Sequence, residues 1–90
     1  MRYWLEIPSH VRRQIENLPN HIRPRVQKVI VSLRDNPRPR EALALDDDLT
    51  GYYRIKVDIY RIVYTIHEDR VVVEIARVAK RDHKTYEGLR

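Results

Sequence analysis

The sequence predicts an α+β domain: an N-terminal strand, then an antiparallel helical hairpin packed on a mostly antiparallel four-stranded sheet. Two observations carry this expectation. Apolar residues recur at helical spacing as far as Leu33 and alternate with a period of two from Gly51 onward. The 90 residues also show no repeat of roughly 20–50 residues and no low-complexity segment, so the chain reads as one domain spanning 1–90.

Tyr3 to Ile7 is short, aromatic and aliphatic, and stops at Pro8, as suits a first strand. Ser9 is placed to cap a helix whose apolar stripe is Val11, Ile15 and Leu18, with Arg12, Arg13, Gln14, Glu16 and Asn17 elsewhere on the wheel. Leu18-Pro19-Asn20 breaks it. Asn20 is the expected cap of a second helix, Pro24 is tolerable in its first turn, and Ile22, Val26, Val29, Ile30 and Leu33 mark its buried stripe. Pro37 ends that helix near Asp35-Asn36. The short joint between the helices makes a hairpin. Pro37-Arg38-Pro39-Arg40 is a linker, and Glu41 to Thr50, with Asp46-Asp47-Asp48, is a crossing segment. Tyr52 to Val57, Tyr60 to Ile66 and Val71 to Val78 then read as a three-stranded meander, joined at Asp58-Ile59 and at His67-Glu68-Asp69-Arg70.

Composition narrows the function. The net charge is +5 with pI about 9.8, and 14 of the 18 cations are arginine, whose planar fork matches phosphate and carboxylate. The absence of cysteine excludes disulfides, a Cys-ligated zinc site and a thiol nucleophile. Four scattered histidines show no metal-ligand spacing, and the acidic triplet reads as a solvated turn. With glycine only at 51 and 88, phosphate-binding glycine loops and a nucleophile elbow are missing. No apolar run is long enough to span a bilayer and the N-terminus lacks a signal-peptide core, so a cytoplasmic protein with no membrane partner is expected.

Charge position matters more than charge count. An even-numbered loop at Asp58-Ile59 pairs residues whose numbers sum to 117: Tyr53 with Tyr64, Ile55 with Ile62, Val57 with Tyr60. That apolar face must lie under the helices. The other face sets Lys56 opposite Arg61, with Arg54 two residues along, and like charges directly opposite cost up to about half a kcal/mol. An anion seated there, phosphate above all, would offset that cost; a solvated face partly neutralised by Glu74 is the alternative. Behind the last strand, Lys80-Arg81-Asp82-His83-Lys84-Thr85-Tyr86 is dense in groups that bind phosphate or move protons.

From Tyr53 to Tyr64, and again from Val78 through Lys80-Arg81 to Tyr86, the sequence resembles the RelE/ParE superfamily of toxin–antitoxin systems. The order of elements agrees over nearly the whole chain. The resemblance implies a RelE-like fold and a ribosome-dependent endoribonuclease that cuts messenger RNA in the A site, without a metal or other cofactor. Carried over position by position, the catalytic set is Arg54, Lys56, Arg61, Arg81 and Tyr86, with His83 as a further proton donor, and Arg77, Lys80 and Lys84 as RNA contacts. Tyr86 stands one residue closer to Arg81 than in some members, and Arg54 occupies a position where lysine is common, so its role would be electrostatic. The implied partners are messenger RNA, the ribosome with its rRNA, and a cognate RelB-like antitoxin that turns a monomeric toxin into a hetero-oligomer. Two other readings of the resemblance are a ParE-like DNA gyrase inhibitor without nuclease activity and a degenerate RNA- or ribosome-binding member.

Overall fold

In the computed structural model, which describes residues 2–81 and 86–89, five strands form one sheet. They are β1 (Trp4–Glu6), β2 (Leu43–Ala44), β3 (Tyr52–Val57), β4 (Tyr60–His67) and β5 (Val72–Lys80), and the helices are α1 (Ser9–Glu16) and α2 (Arg23–Ser32). The sheet order is β1-β5-β4-β3-β2, with β1 parallel to β5 and every other pair antiparallel. The sheet thus has one strand more than the four expected. The addition is β2, two residues of the crossing segment that pair with Arg54 and Tyr53 on the open edge of β3. Two exposed residues carry no alternation, so nothing in the sequence marks them as a strand.

The β3–β4 register is the one expected, with Tyr53 paired to Tyr64, Ile55 to Ile62, Lys56 to Arg61 and Val57 to Tyr60. The turn is made by Asp58 at φ 59°, a left-handed conformation that aspartate tolerates because its short side chain bonds locally. On the helix side Tyr53 and Tyr64 stack with ring centroids 5.6 Å apart.

Between β4 and β5 the register shifts at Val63/Tyr64, leaving Ala76 as an extra residue. Val73 and Ile75 face the core before this bulge and Val78 after it, all at most 2% exposed. The extra residue inverts the alternation and sets Arg77 on the outer face instead of in the core. The gap of three between Ile75 and Val78 was the available signal. The strand itself starts at Val72, because Val71 takes φ 55°, which extended pairing does not allow.

Val11, Ile15, Leu18, Ile22, Val26, Ile30 and Leu33 pack from the helical side onto Ile55, Val57, Ile62, Tyr64, Val73, Ile75 and Val78. The helix ends differ from expectation. Ser9 is the first helical residue with Pro8 at the cap, and α2 starts at Arg23, with no side-chain cap on either. Asn20 is displaced from capping because the Ile22 and Arg23 amides already bond the Pro19 carbonyl, at 2.9 and 3.0 Å. Arg23 instead closes α1: its Nη2 donates to the Glu16 and Leu18 carbonyls at 3.3 and 3.1 Å and to Asn20 Oδ1 at 3.0 Å. Gln14 of α1 accepts the Val78 amide at 2.9 Å, where β5 has run past the end of β1. Both helices are thereby tied to the inner side, which leaves the opposite face of the sheet to carry a site. Among the described residues no helix is long and apolar enough to cross a membrane.

Candidate active site

Strand pairing builds two cationic rows on the outer face. One sets Lys56 beside Arg61; the next sets Arg54, Val63 and Arg77 side by side. Two residues of extended chain separate them, roughly 6.7 Å. At the turn end of the sheet a cleft of about 410 Å³ is lined by Lys56, Asp58, Ile59, Arg61, Lys80 and Arg81. The Arg81 amide donates to the Ile59 carbonyl at 2.9 Å, so the end of β5 is held against the β3–β4 turn. Asp58, the one acid of the lining among the described residues, is engaged by Arg25 Nη1 of α2 at 3.6 Å. Both partners are about half exposed, so the pair contributes little stability, yet it offsets the negative charge at the rim.

Arg61 has a different environment. It is 8% exposed, its Nε is buried without a partner among the described residues, and its Nη1 donates to Tyr86 Oη at 3.3 Å. The cause is the C-terminal segment, which returns over the outer face. Tyr52 Oη donates to the Leu89 carbonyl at 2.6 Å, and a Cβ on Gly88 would lie 3.8 Å from the Arg77 guanidinium. These contacts flank Val63, which is fully buried although it points away from the helices. The result is a sheltered guanidinium with a phenol beside it and three more exposed cations in front. Such a set can hold a phosphate and stabilise added negative charge on it, with the phenol as a proton donor within reach.

Of the residues expected from sequence, Lys56, Arg61, Lys80 and Arg81 come together in the cleft, and Tyr86 joins them through Arg61. Arg54 and Arg77 lie one row further along and do not line it. His83 and Lys84 lie outside the described residues. Glu74 does not neutralise the cations: it sits in the Thr65 row with its Oε1 2.9 Å from His67 Nε2. Sequence reasoning missed Asp58, Ile59 and Arg25, treating the turn as a joint only. An isoleucine in a two-residue turn was the one signal that could have drawn attention there.

A family model described as ParE toxin of type II toxin-antitoxin system, parDE, matches residues 2–84. Among solved structures, the fold is similar to that in the RelBE2 toxin–antitoxin complex of Mycobacterium tuberculosis, with 27% identity and TM-score 0.78 over 90% of this chain and 100% of that one. The archaeal RelE–RelB complex of Pyrococcus horikoshii gives 26% identity and TM-score 0.78, covering 92% of this chain and 99% of that one. Free E. coli RelE, as a double arginine-to-alanine mutant, gives 25% identity and TM-score 0.77, covering 96% and 92% respectively. No curated protein sequence matches significantly. With the family model matched over residues 2–84 of the 90 and the fold shared with RelE, the chain belongs to the ParE toxin family, within the RelE/ParE superfamily of type II toxin–antitoxin systems.

Proposed function

We propose that residues 1–90 act as one toxin domain, a ribosome-dependent endoribonuclease that cuts messenger RNA in the A site. The observation that carries this reading is the cleft where Lys56, Lys80 and Arg81 surround a buried Arg61 bonded to Tyr86. In the reaction a ribose 2′-oxygen attacks the adjacent phosphorus and the bond to the 5′-oxygen breaks. A 2′,3′-cyclic phosphate and a 5′-hydroxyl remain. Lys56, in its neutral amine form, receives the 2′-hydroxyl proton, Arg61 stabilises the charge of the phosphorane with Arg54 adding positive potential from the next row, and Arg81 supports the leaving oxygen, which His83 or Tyr86 protonates. Arg77, Lys80 and Lys84 hold the neighbouring backbone. Nothing in this scheme calls for a metal.

Two of the similar structures are complexes with an antitoxin, RelB in the archaeal case. By that likeness a cognate RelB-like antitoxin neutralises this monomeric toxin in the cytoplasm, where ribosomes are at hand. Mapping new messenger RNA 5′ ends on translating ribosomes tests the reading, with cuts expected from the wild type. Arg81→Ala is expected to reduce cleavage roughly 100-fold with an unchanged melting temperature, since Arg81 is exposed. The description of the matching family favours a second reading, a ParE-like gyrase inhibitor. Growth arrest with intact transcripts and blocked supercoiling by gyrase would select it and reject the nuclease.

A further inference from the structure

The cleft is larger than a phosphate needs, and part of its wall is uncharged. Its volume of about 410 Å³ falls in the roughly 300–1,000 Å³ range of pockets that enclose whole small molecules. Ile59 belongs to the lining and is 55% exposed. It occupies the second position of a two-residue turn, where short polar residues such as asparagine, aspartate and serine are usual; of the two turn residues only Asp58 takes a positive φ. Its backbone is fixed, because its carbonyl accepts the Arg81 amide at 2.9 Å and the preceding Asp58 is paired with Arg25.

A branched alkyl group here neither fills the core nor helps the neighbouring cations. It presents an apolar surface to whatever those cations bind. Inorganic phosphate has no apolar part to meet it, whereas a nucleotide does. In a duplex the base faces are stacked and unavailable without disruption, so a single strand is the fitting form.

The geometry points to Ile59 as a base-contacting wall: the cleft takes one whole nucleotide of a single-stranded RNA, with its phosphate toward Arg61 and its base against Ile59. This inference rests on reading the cations as a phosphate site.

The test uses the full chain and two labelled four-nucleotide RNAs, both 2′-O-methylated so that no 2′-hydroxyl can attack. One carries all its bases and the other is abasic throughout. Fluorescence anisotropy at a single salt concentration gives both affinities. The wild type is expected to bind the base-bearing RNA about fivefold more tightly, the scale of one modest apolar contact. Ile59→Gly, which removes the alkyl group, brings the ratio to about one with abasic binding unaltered, and Ile59→Leu keeps the preference. Equal affinities in the wild type, or an undiminished ratio in Ile59→Gly, overturn the base wall and leave the phosphate site standing. Binding of neither RNA by the wild type removes the phosphate site itself, and the base wall with it.

Discussion

Taking a guanidinium out of water costs several kcal/mol unless counter-charge and hydrogen bonds replace its hydration. At Arg61 the described neighbour is a neutral phenol, and Nε has no partner among the described residues. The strand pairing alone gives Arg61 the cost of a like charge opposite, at Lys56; its burial adds the cost of lost hydration. Arg61→Met keeps most of the volume and removes the charge, so it is expected to raise the melting temperature, by about 4–8 °C for each kcal/mol regained in a domain of this size. RNA cleavage should fall roughly 100-fold in the same variant. Calorimetry decides the point, and a lower melting temperature would make the guanidinium a structural strut. At the other end of the sheet, Glu68 accepts from Tyr3 Oη at 2.6 Å and pairs with Arg38 Nη1 at 2.9 Å. The Tyr3 bond first and Arg38 second hold the Glu68 carboxyl below its usual range. A folded-state value below the unfolded one means stability that is complete above the unfolded value and lost as pH falls through the folded one. Glu68→Gln should therefore unfold at lower urea than wild type at pH 7, and the two midpoints should converge as the pH falls below the ordinary glutamate value of about 4.3. A gap persisting in acid would assign the effect to packing.

At the scale of elements, the bulge in β5 allows one strand to serve two faces. Ile75 and Val78 both reach the core, while Arg77 joins Arg54 on the outer side. Deleting Ala76 restores plain alternation with every neighbouring side chain on its present face, so the fold should survive at a cost of about 2 kcal/mol or less. Deleting Val63 from β4 has no such outlet. It turns Tyr64 and Ile66 away from the helices, and the variant is expected not to fold. Dispersed amide resonances and a cooperative urea transition in both variants would show that register is weakly specified. The linker before the sheet is held by the same strands. Tyr64 Oη donates to the Pro37 carbonyl at 2.8 Å, and Arg38 Nε donates to Tyr53 Oη at 3.1 Å. Burial, above all other causes, pushes the Tyr64 phenol well above its ordinary value, which keeps it a donor throughout the usual pH range.

For the whole molecule, charge is distributed in blocks. Residues 1–40 and 51–90 carry nine cations each, and the segment between them carries four acids and no cation. Arg12, Arg13 and Lys28 are exposed on the helices, which pack on the side of the sheet opposite the outer face. Positive potential on both sides suits an acidic, partly disordered antitoxin that wraps the toxin and folds on binding. Titration calorimetry against the product of the adjacent gene should show affinity falling at least about tenfold between roughly 0.05 and 0.5 M salt. An affinity indifferent to salt would mean that apolar contacts dominate.

The sequence by itself determined the order of elements, the helical stripes, the β3–β4 register and the meeting of Lys56 with Arg61. Alternation and turn length are local properties of the backbone, legible within a few residues. Only the tertiary structure decided that Arg61 is buried, that Leu43–Ala44 completes an edge, and that Asp58 and Ile59 stand at Arg81 with Arg25 behind them. Burial and charge pairing depend on what distant segments bring, and Tyr86 comes back to Arg61 from 25 residues away. No periodicity records that return, because it is made by side-chain hydrogen bonds across the sheet face.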